Sequence, residues 1–386
     1  HFKYKSWKQF FNGIKKRGRY YLYTLYKFKF LNTFLNFFFN YKIEKRYFQD
    51  GLEYAKTNSN SELLFSKKND MICCNPIFHN NANNIGNKLT KAEGFVSYVT
   101  KINNAFVIGG SNLVLVNNTK VIYDLMNFRK NSNYRFTDEG MVYSNNNYCL
   151  TKLNNSNISF EEGILLSGNY SWNYFHLIFE ILVKFEKIEL LKLDKGIPIF
   201  MDEVCLKVPQ FLELINLFNR DNREIIYLKK ATRYLIHSLY YISCPNFVVP
   251  NFVNVNLITK HDVLFNSITI DFLRRKTLSI CESKKYPTRI FLSRGGASNR
   301  RKFNEDEVFE ALKKLDFKII HSENYSIVEQ VSIFNNAEII VGGSGASFTN
   351  LLFCNSNCKV ICLTNYKLNL SVFSTIASYL KIELIY

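Results

Sequence analysis

The stretch RIFLSRGGASNRRKFNEDEVFEALKKLDFKIIHSENYSIVEQVSIFNNAEIIVGGSGASFTN, residues 289–350, decides the fold. It alternates short apolar runs, such as RIFL and EIIV, with longer amphipathic runs of helical length. This alternation predicts βαβ units and a parallel sheet, and therefore an α/β fold. Two polar loops, residues 293–304 and 342–350, each follow a predicted strand. We expect both at the carboxyl edge of the sheet, where open α/β sheets bind ligands.

The composition of the chain limits the number of domains, the kind of ligand and the cellular compartment that we expect. The 386 residues are 47% hydrophobic, which is enough for two domains with buried cores. Residues 1–48 hold 12 of the 50 Lys and Arg residues and one acid, so the rest carries only about +7 of the net +18. A mildly basic folded part argues against a nucleic-acid-binding domain. Nine cysteines without a CxxC pair indicate free thiols in a reducing compartment, and we expect a cytoplasmic protein.

The basic residues of the segment 1–48 are interleaved with aromatic residues. This pattern predicts a helical segment that lies peripherally on an anionic membrane surface. Two alternatives are a pair of helices packed on the core and, third, a contact with single-stranded nucleic acid. We place an N-terminal α/β domain at 49–255 and a C-terminal domain at 256–386, since prolines punctuate the chain near 250.

The two polar loops carry residues suited to an anion. Arg294, Arg300 and Arg301 follow the strand RIFLS, and arginine presents a fork of donors that matches phosphate oxygens. The turn after EIIV is made of small residues, Gly343, Ser344, Gly345 and Ala346. Small residues let a ligand approach the backbone, and the start of the following helix offers N–H donors. The loops therefore predict a phosphate-binding site, with a solvated basic loop as the alternative.

Several nearby polar residues fit helix capping as well as binding. Asn304 and Glu307 have the spacing of an N-cap and its partner, and Ser326-x-x-Glu329 is a capping box. Glu329 can instead hold the hydroxyls of a ribose or a sugar, with Gln330 as its neighbour.

A second strand–loop–helix–strand unit is predicted at residues 163–200. His176 and Glu180 lie four residues apart on one face of its helix, near the helix start. The helix follows the carboxyl end of a strand, so the histidine can face a cleft. A lone histidine is more often structural, and the spacing alone favours that alternative.

Taken in order, these residues resemble the family 61 glycosyltransferases over about residues 95–386. The family's C-terminal pattern is matched by Ser293-Arg294, Arg301, Asn304-Glu305, Ser326-x-x-Glu329-Gln330, Gly342, Gly345-Ala346, Asn350 and Phe353. Its N-terminal marker is matched by Asn173, His176 and Glu180. One position departs from the pattern, because Ser344 stands where the family has a histidine.

The resemblance implies a GT-B architecture, in which two Rossmann-like domains face a cleft. The domain at 49–255 would then lie on the acceptor side, and the domain at 256–386 would bind the nucleotide sugar. It also implies inverting transfer of a sugar from a nucleotide donor, UDP-linked in our expectation, to a glycan or a lipid-linked glycan. Bacterial relatives are associated with capsule and surface polysaccharide synthesis. The sequence has no Asp-x-Asp motif, so we expect a metal-independent reaction.

We assign roles to the matched residues as a hypothesis. His176 is the general base, because its ordinary pKa lies near working pH, and Glu180 orients it. Arg294 and Arg301 neutralise the leaving diphosphate with the N–H groups of residues 343–346.

The remaining donor-site assignments are Glu329 at the donor hydroxyls, together with Asn304, Gln330 and Asn350. Ser344 favours an alternative, a catalytically inactive GT-B-like protein that binds a nucleotide sugar or a glycan.

Overall fold

A computed structural model of the chain describes residues 41–79, 88–125, 134, 137–154, 157–249, 252, 254–295, 303–364 and 371–386. The strands of these residues are β1 (Tyr41–Gln49), β2 (Ser61–Lys68), β3 (Met71–Cys73), β4 (Thr90–Ala92), β5 (Val96–Ile108), β6 (Leu113–Leu115), β7 (Lys120–Tyr123), β8 (Met141–Ser144), β9 (Tyr148–Asn154), β10 (Ser159–Leu165), β11 (Ile199–Asp202), β12 (Ile225–Leu228), β13 (Arg233–Ile242), β14 (Phe247–Val248), β15 (Val263–Asn266), β16 (Arg289–Leu292), β17 (Lys318–Ile320), β18 (Ile339–Gly343), β19 (Lys359–Leu363) and β20 (Glu383–Ile385).

The α-helices are α1 (Gly51–Thr57), α2 (Tyr174–His176), α3 (Phe185–Leu191), α4 (Pro209–Phe218), α5 (Ser267–Leu278), α6 (Glu305–Lys313), α7 (Ile327–Asn336) and α8 (Val372–Tyr379). A π-helix (Leu177–Ile181) and a 3-10 turn (Leu182–Lys184) join α2 to α3. Further 3-10 helices are Glu203–Lys207, Val255–Leu257, Lys260–Asp262, Ser322–Asn324 and Ala346–Phe353.

The largest sheet is mixed and has the strand order β12-β11-β10-β13-β5-β6-β7-β1-β9-β8, with β2 also paired to β5. Its first four strands are parallel to one another. Counted along the chain, their order is 3-2-1-4, as in one half of a doubly wound fold. The loops after β10 and β13 follow the two strands between which this order reverses. The other strands are mostly antiparallel, so this part is α/β but not a purely parallel sheet.

The strand β1 corrects the prediction of a helical segment at 1–48. Residues 41–48 belong to β1, which pairs in parallel with β7 and antiparallel with β9. The strand extends to residue 49 and so crosses the predicted domain boundary. The run YKIEKRYF opens with apolar and charged residues in alternation, Tyr41-Lys42-Ile43-Glu44, a period that suits a strand better than a helix. Residues 1–40 lie outside the described residues.

A small antiparallel sheet, β14-β15-β3-β4, joins residues from both sides of the boundary predicted at 255. The run 259–278 has a helix-like pattern in the sequence, but the strand β15 occupies part of it. The helix α5 starts only at Ser267, where the side chain of Asn266 accepts a hydrogen bond from the backbone N–H of Ile268. The cap stops the helix from extending back into the apolar run VLF. The domain limits themselves stay predictions.

The C-terminal sheet has the order β17-β16-β18-β19-β20, and every pair in it is parallel. This confirms the parallel sheet predicted from residues 289–350. Its central strands are apolar runs with both faces covered, and Ile290, Phe291 and Leu292 are fully buried. Counted along the chain, the order is 2-1-3-4-5, and the order reverses between β16 and β18. A doubly wound sheet binds its ligand at this position.

The core is continuous across the two halves of the chain. One cluster of buried apolar residues includes Phe179 and Phe265 together with Phe334 and Phe353. The nine cysteines are free thiols; Cys281 is exposed and the others are buried. In the part of the chain that the structure describes, no helix has the length and apolar character needed to cross a membrane.

Candidate active site

Arg294 lies against the glycine-rich turn that follows β18. Its guanidinium donates a hydrogen bond to the backbone carbonyl of Ser344. A Cβ atom added to Gly345 would stand 3.3 Å from the guanidinium carbon, and one added to Gly343 would stand 3.0 Å from the Arg294 Cδ. The backbone φ of Gly345 is −176°, which is extended, so the close guanidinium and not the backbone conformation limits a side chain here. The structure thus brings together the predicted arginine and the predicted turn at the reversal point of the sheet.

A pocket of about 490 Å³ opens beside Arg294. Its lining comes from the loop after β16, the start of α6 and the end of β17, namely Ser293, Arg294, Gly295, Phe303, Asn304, Glu305, Asp306, Glu307, Ile319 and His321. Glu305 accepts a hydrogen bond from the backbone N–H of Arg294 at 2.9 Å, so the acidic first turn of α6 fixes the loop. The loop residues 296–302 lie outside the described residues, and with them the predicted ligands Arg300 and Arg301.

Capping interactions occupy two of the predicted donor ligands. Asn304 takes the N-cap position of α6, where its side chain donates to Glu307 at 2.7 Å, although it does not bond the helix backbone. Glu329 accepts from the backbone N–H and the hydroxyl of Ser326 at 2.9 and 3.0 Å, and these bonds lower its carboxyl pKa. A carboxylate of the other half, Glu213, accepts from the first N–H of α7 at 2.6 Å. The N-terminus of α7, where the helix dipole favours a negative charge, is therefore already occupied by the Glu213 carboxylate.

Gln330 and Asn350 form a buried chain of hydrogen bonds. The Asn350 amide donates to the Gln330 side-chain oxygen at 2.9 Å and accepts from the Tyr174 hydroxyl at 2.7 Å. The Gln330 amide in turn donates to the carbonyl of Tyr325 at 3.0 Å. Through this chain, α2 packs on the 3-10 helix Ala346–Phe353. The start of the His176 helix and the end of the glycine-rich turn are thereby held together.

His176 is the last residue of α2, one turn after the N-cap residue Asn173. It is 9% exposed, and its ring packs on that of Tyr170 at 4.9 Å between centroids. Its Nδ1 lies 3.1 Å from Oε2 of Glu180, which confirms that the two side chains share a face. The two atoms are close but too poorly aligned for a hydrogen bond. A π-helix follows at once, and such segments occur frequently at functional sites.

A cavity of about 20 Å³ lies behind this pair. Its lining combines the loops after β7, β10 and β13 with the helix, namely Asn112, Tyr123, Asp124, Ser167, Gly168, Tyr170, Glu180, Ile181, Lys184 and Cys244. Asp124 accepts from the backbone N–H of Cys244 at 2.5 Å. The sequence did not single out Asp124 or Lys184. In the sequence, Asp124 stands out only as a polar residue that directly follows an apolar run, and Lys184 only as a polar residue within one.

Two further carboxylates are buried next to this cavity. Asp202 accepts from the hydroxyl of Ser167 at 2.6 Å and from the backbone N–H of Gly168 at 3.0 Å. Burial nevertheless raises its carboxyl pKa. Asp138 accepts from the backbone N–H of Asn112, and burial raises its pKa to about 7. These carboxylates hold the loops around the cavity in place.

In the described ranges, no three His, Cys, Asp or Glu side chains are grouped so that they could hold a metal ion.

An exposed aromatic residue lies on the outer side of the loop that precedes His176. Trp172 is 57% exposed and lies 6.3 Å from the ring of Tyr170, which itself contacts His176.

Comparison with known proteins gives one family. No curated protein matches the chain. Residues 174–361 match the model of the family described as Glycosyltransferase 61. The matched segment starts in α2, contains His176, Arg294 and the glycine-rich turn, and ends within β19. Both His176 and the contact of Arg294 with the glycine-rich turn lie inside it, and this segment of the chain belongs to glycosyltransferase family 61.

Proposed function

We propose that this glycosyltransferase moves a sugar from a UDP-linked donor to a glycan acceptor, with inversion and without a metal ion, in surface polysaccharide synthesis. The observation that carries the proposal is the contact of Arg294 with the glycine-rich turn, at the point where the C-terminal strand order reverses. The proposal also takes the two halves as the facing domains of a GT-B enzyme.

The donor side needs a stable place for the leaving diphosphate. The Arg294 guanidinium is fixed by the Ser344 carbonyl, and the planar fork of a guanidinium matches phosphate oxygens. The open pocket of about 490 Å³ next to it has room for a nucleotide. Preorganised donors of this kind stabilise developing negative charge without moving during the reaction.

The acceptor side needs a base that takes the proton of the attacking hydroxyl. His176 lies in α2, which follows the loop after β10, and the Tyr174 hydroxyl of the same helix bonds Asn350 of the other half. As the hydroxyl oxygen bonds to the anomeric carbon, the proton moves to the imidazole, and Glu180 stabilises the imidazolium. The exposed ring of Trp172 offers a flat apolar face for a sugar of the acceptor.

The test measures turnover of UDP-linked hexoses and pentoses by His176→Ala and Arg294→Ala. We expect His176→Ala to lower kcat by about 100-fold or more, as loss of a general base does. Arg294→Ala should lower it by about 100-fold, because charge stabilisation is lost. His261→Ala and Arg275→Ala, two exposed residues, are the matched controls. Wild-type rates in both site variants would show that the assignments are wrong.

Ser344 supports a second candidate, an inactive protein that binds a nucleotide sugar. Calorimetry with the same UDP-sugars separates the two. Binding without turnover supports the inactive protein, and no binding contradicts both candidates.

A further inference from the structure

Lys184 is a buried cation without a direct partner. Its side chain is 8% exposed and lines the cavity behind Glu180 together with Asp124. Within the described residues, no hydrogen bond or ion pair reaches its ammonium group. Leaving a charge buried and unpaired costs free energy, so such an arrangement calls for a reason.

The other buried lysines of the neighbourhood are paired. Lys187, in the same helical segment and 7% exposed, forms an ion pair with Glu186 at 2.7 Å and lies over the ring of Phe65. Lys276 pairs with Glu189 at 2.5 Å. Of the three buried lysines among the described residues, two therefore form an ion pair with a carboxylate, and Lys184 does not.

The position of Lys184 relates it to the proposed base. His176, Glu180 and Lys184 follow one another at intervals of four residues along one helical segment. Both charges act on the thiol of Cys244, where burial raises the pKa most, Glu180 raises it further and Lys184 lowers it. The two side chains thus face one cavity. Its volume of about 20 Å³ exceeds the roughly 10–15 Å³ that one water needs, so a water can bridge them.

We propose that Lys184 is a positioning residue, whose cation acts across the cavity on the His176–Glu180 pair, so that Glu180 stays ionised to orient His176 and the imidazole stays unprotonated until it takes the proton of the acceptor. This inference rests on the proposed function, in which His176 takes the acceptor proton. The charge acts through Glu180 and the cavity, and Lys184 itself touches no substrate.

The sign of the effect follows from electrostatics. Asp124, Tyr123, Tyr170 and Cys244 are the other titratable groups around the cavity. Among the described residues that line the cavity, Lys184 is the cation. Removing it makes protonation of the coupled His176–Glu180 pair more favourable, so the apparent pKa of the pair rises. At the effective dielectric of a protein interior, the expected rise is about one pH unit.

The test is an NMR titration of the imidazole of His176 in the whole chain, assigned by its loss in His176→Gln. Lys184→Met should raise the apparent pKa of this imidazole by about one unit. Lys184→Arg keeps the charge and should restore the wild-type value. Lys187→Met is the matched control, and its paired charge should leave the titration unchanged. An unaltered imidazole in Lys184→Met, or an equal change in Lys187→Met, would overturn the inference.

Two further measurements separate the outcomes. Methionine fills the space of the lysine stem and removes an unpaired charge, so Lys184→Met should unfold in urea at the wild-type midpoint or above it. A lower midpoint would mark Lys184 as structural and contradict the proposal. The titration needs no turnover, so a fully active His176→Ala contradicts the proposed function, whereas an unchanged imidazole pKa contradicts this inference alone.

Discussion

At the scale of single residues, Ser344 is the position that departs from the pattern of the family. Its backbone is fully engaged, because its N–H donates to the Leu363 carbonyl at 2.8 Å and its carbonyl accepts from Arg294. Its side chain is within hydrogen-bonding reach of the thiol of Cys362, whose pKa burial raises to about 12. The turn is therefore ordered by Arg294 and β19 without the histidine that the family pattern has here.

We expect Ser344→His to strengthen the binding of UDP about tenfold. An imidazole at this position adds a hydrogen bond to phosphate, and such a charge-assisted bond contributes about 1.5–3 kcal/mol. Calorimetry with UDP measures the change, and Ser347→His, three residues further on, is the matched control. Equal affinities in wild type, Ser344→His and Ser347→His would mean that residue 344 does not face the donor phosphates.

Local spacing predicted some of these residues and missed others. The contact of His176 with Glu180 follows from the helical repeat and was predictable. The contact of Arg294 with Ser344 followed from both residues ending neighbouring strands of a parallel sheet. The role of Lys184 could not be predicted, because it depends on the cavity that Lys184 shares with Asp124, which lies 60 positions earlier. No local pattern carries a contact over that separation.

At the scale of elements, the C-terminal sheet was predicted strand by strand, but its order was not. Strand order depends on which faces the crossover helices cover, and the sequence does not state this. The segment after the glycine-rich turn was expected to start a helix with free N–H donors. It is a 3-10 helix (Ala346–Phe353), and its Phe348 N–H is bound by the Gly345 carbonyl. This helix serves to anchor α2 through Asn350.

We expect Asn350→Ala to lower the free energy of unfolding by about 2–4 kcal/mol. It leaves the Tyr174 hydroxyl and the Gln330 oxygen buried without a partner, and each such group costs about 1–3 kcal/mol. Tyr174→Phe removes one donor and should cost about 1 kcal/mol. Urea unfolding measures both, with the exposed Asn357→Ala as control.

The same variants decide between anchoring and donor binding for Asn350. Coupling between Tyr174→Phe and Asn350→Ala in a double-mutant cycle would support the anchor. If Asn350→Ala unfolds like Asn357→Ala but binds UDP more weakly, the residue is a donor ligand, as the sequence predicted.

At the scale of the whole molecule, charge is concentrated at one end. Residues 1–40 contain nine Lys or Arg and no acid, since Glu44 belongs to β1. Because β1 starts at Tyr41 and pairs with β7 and β9, the membrane contact proposed for residues 1–48 is now confined to residues 1–40. This contact would place the enzyme peripherally on the cytoplasmic face of a membrane, near lipid-linked acceptors.

A variant that starts at Tyr41 should therefore lose binding to vesicles of phosphatidylserine and phosphatidylcholine while it keeps its hydrolysis of UDP-sugars. Each basic residue near an anionic surface contributes about 1 kcal/mol, so nine of them dominate the attraction. The deletion spares every residue of β1, and its ladder to β9 begins with Tyr41 opposite Asn154. Co-sedimentation at low and high salt measures the binding, which salt should weaken because it screens charge. Vesicles of phosphatidylcholine alone are the control. If the shortened chain sediments with the anionic vesicles as strongly as the full chain, the folded part holds the membrane and residues 1–40 do not.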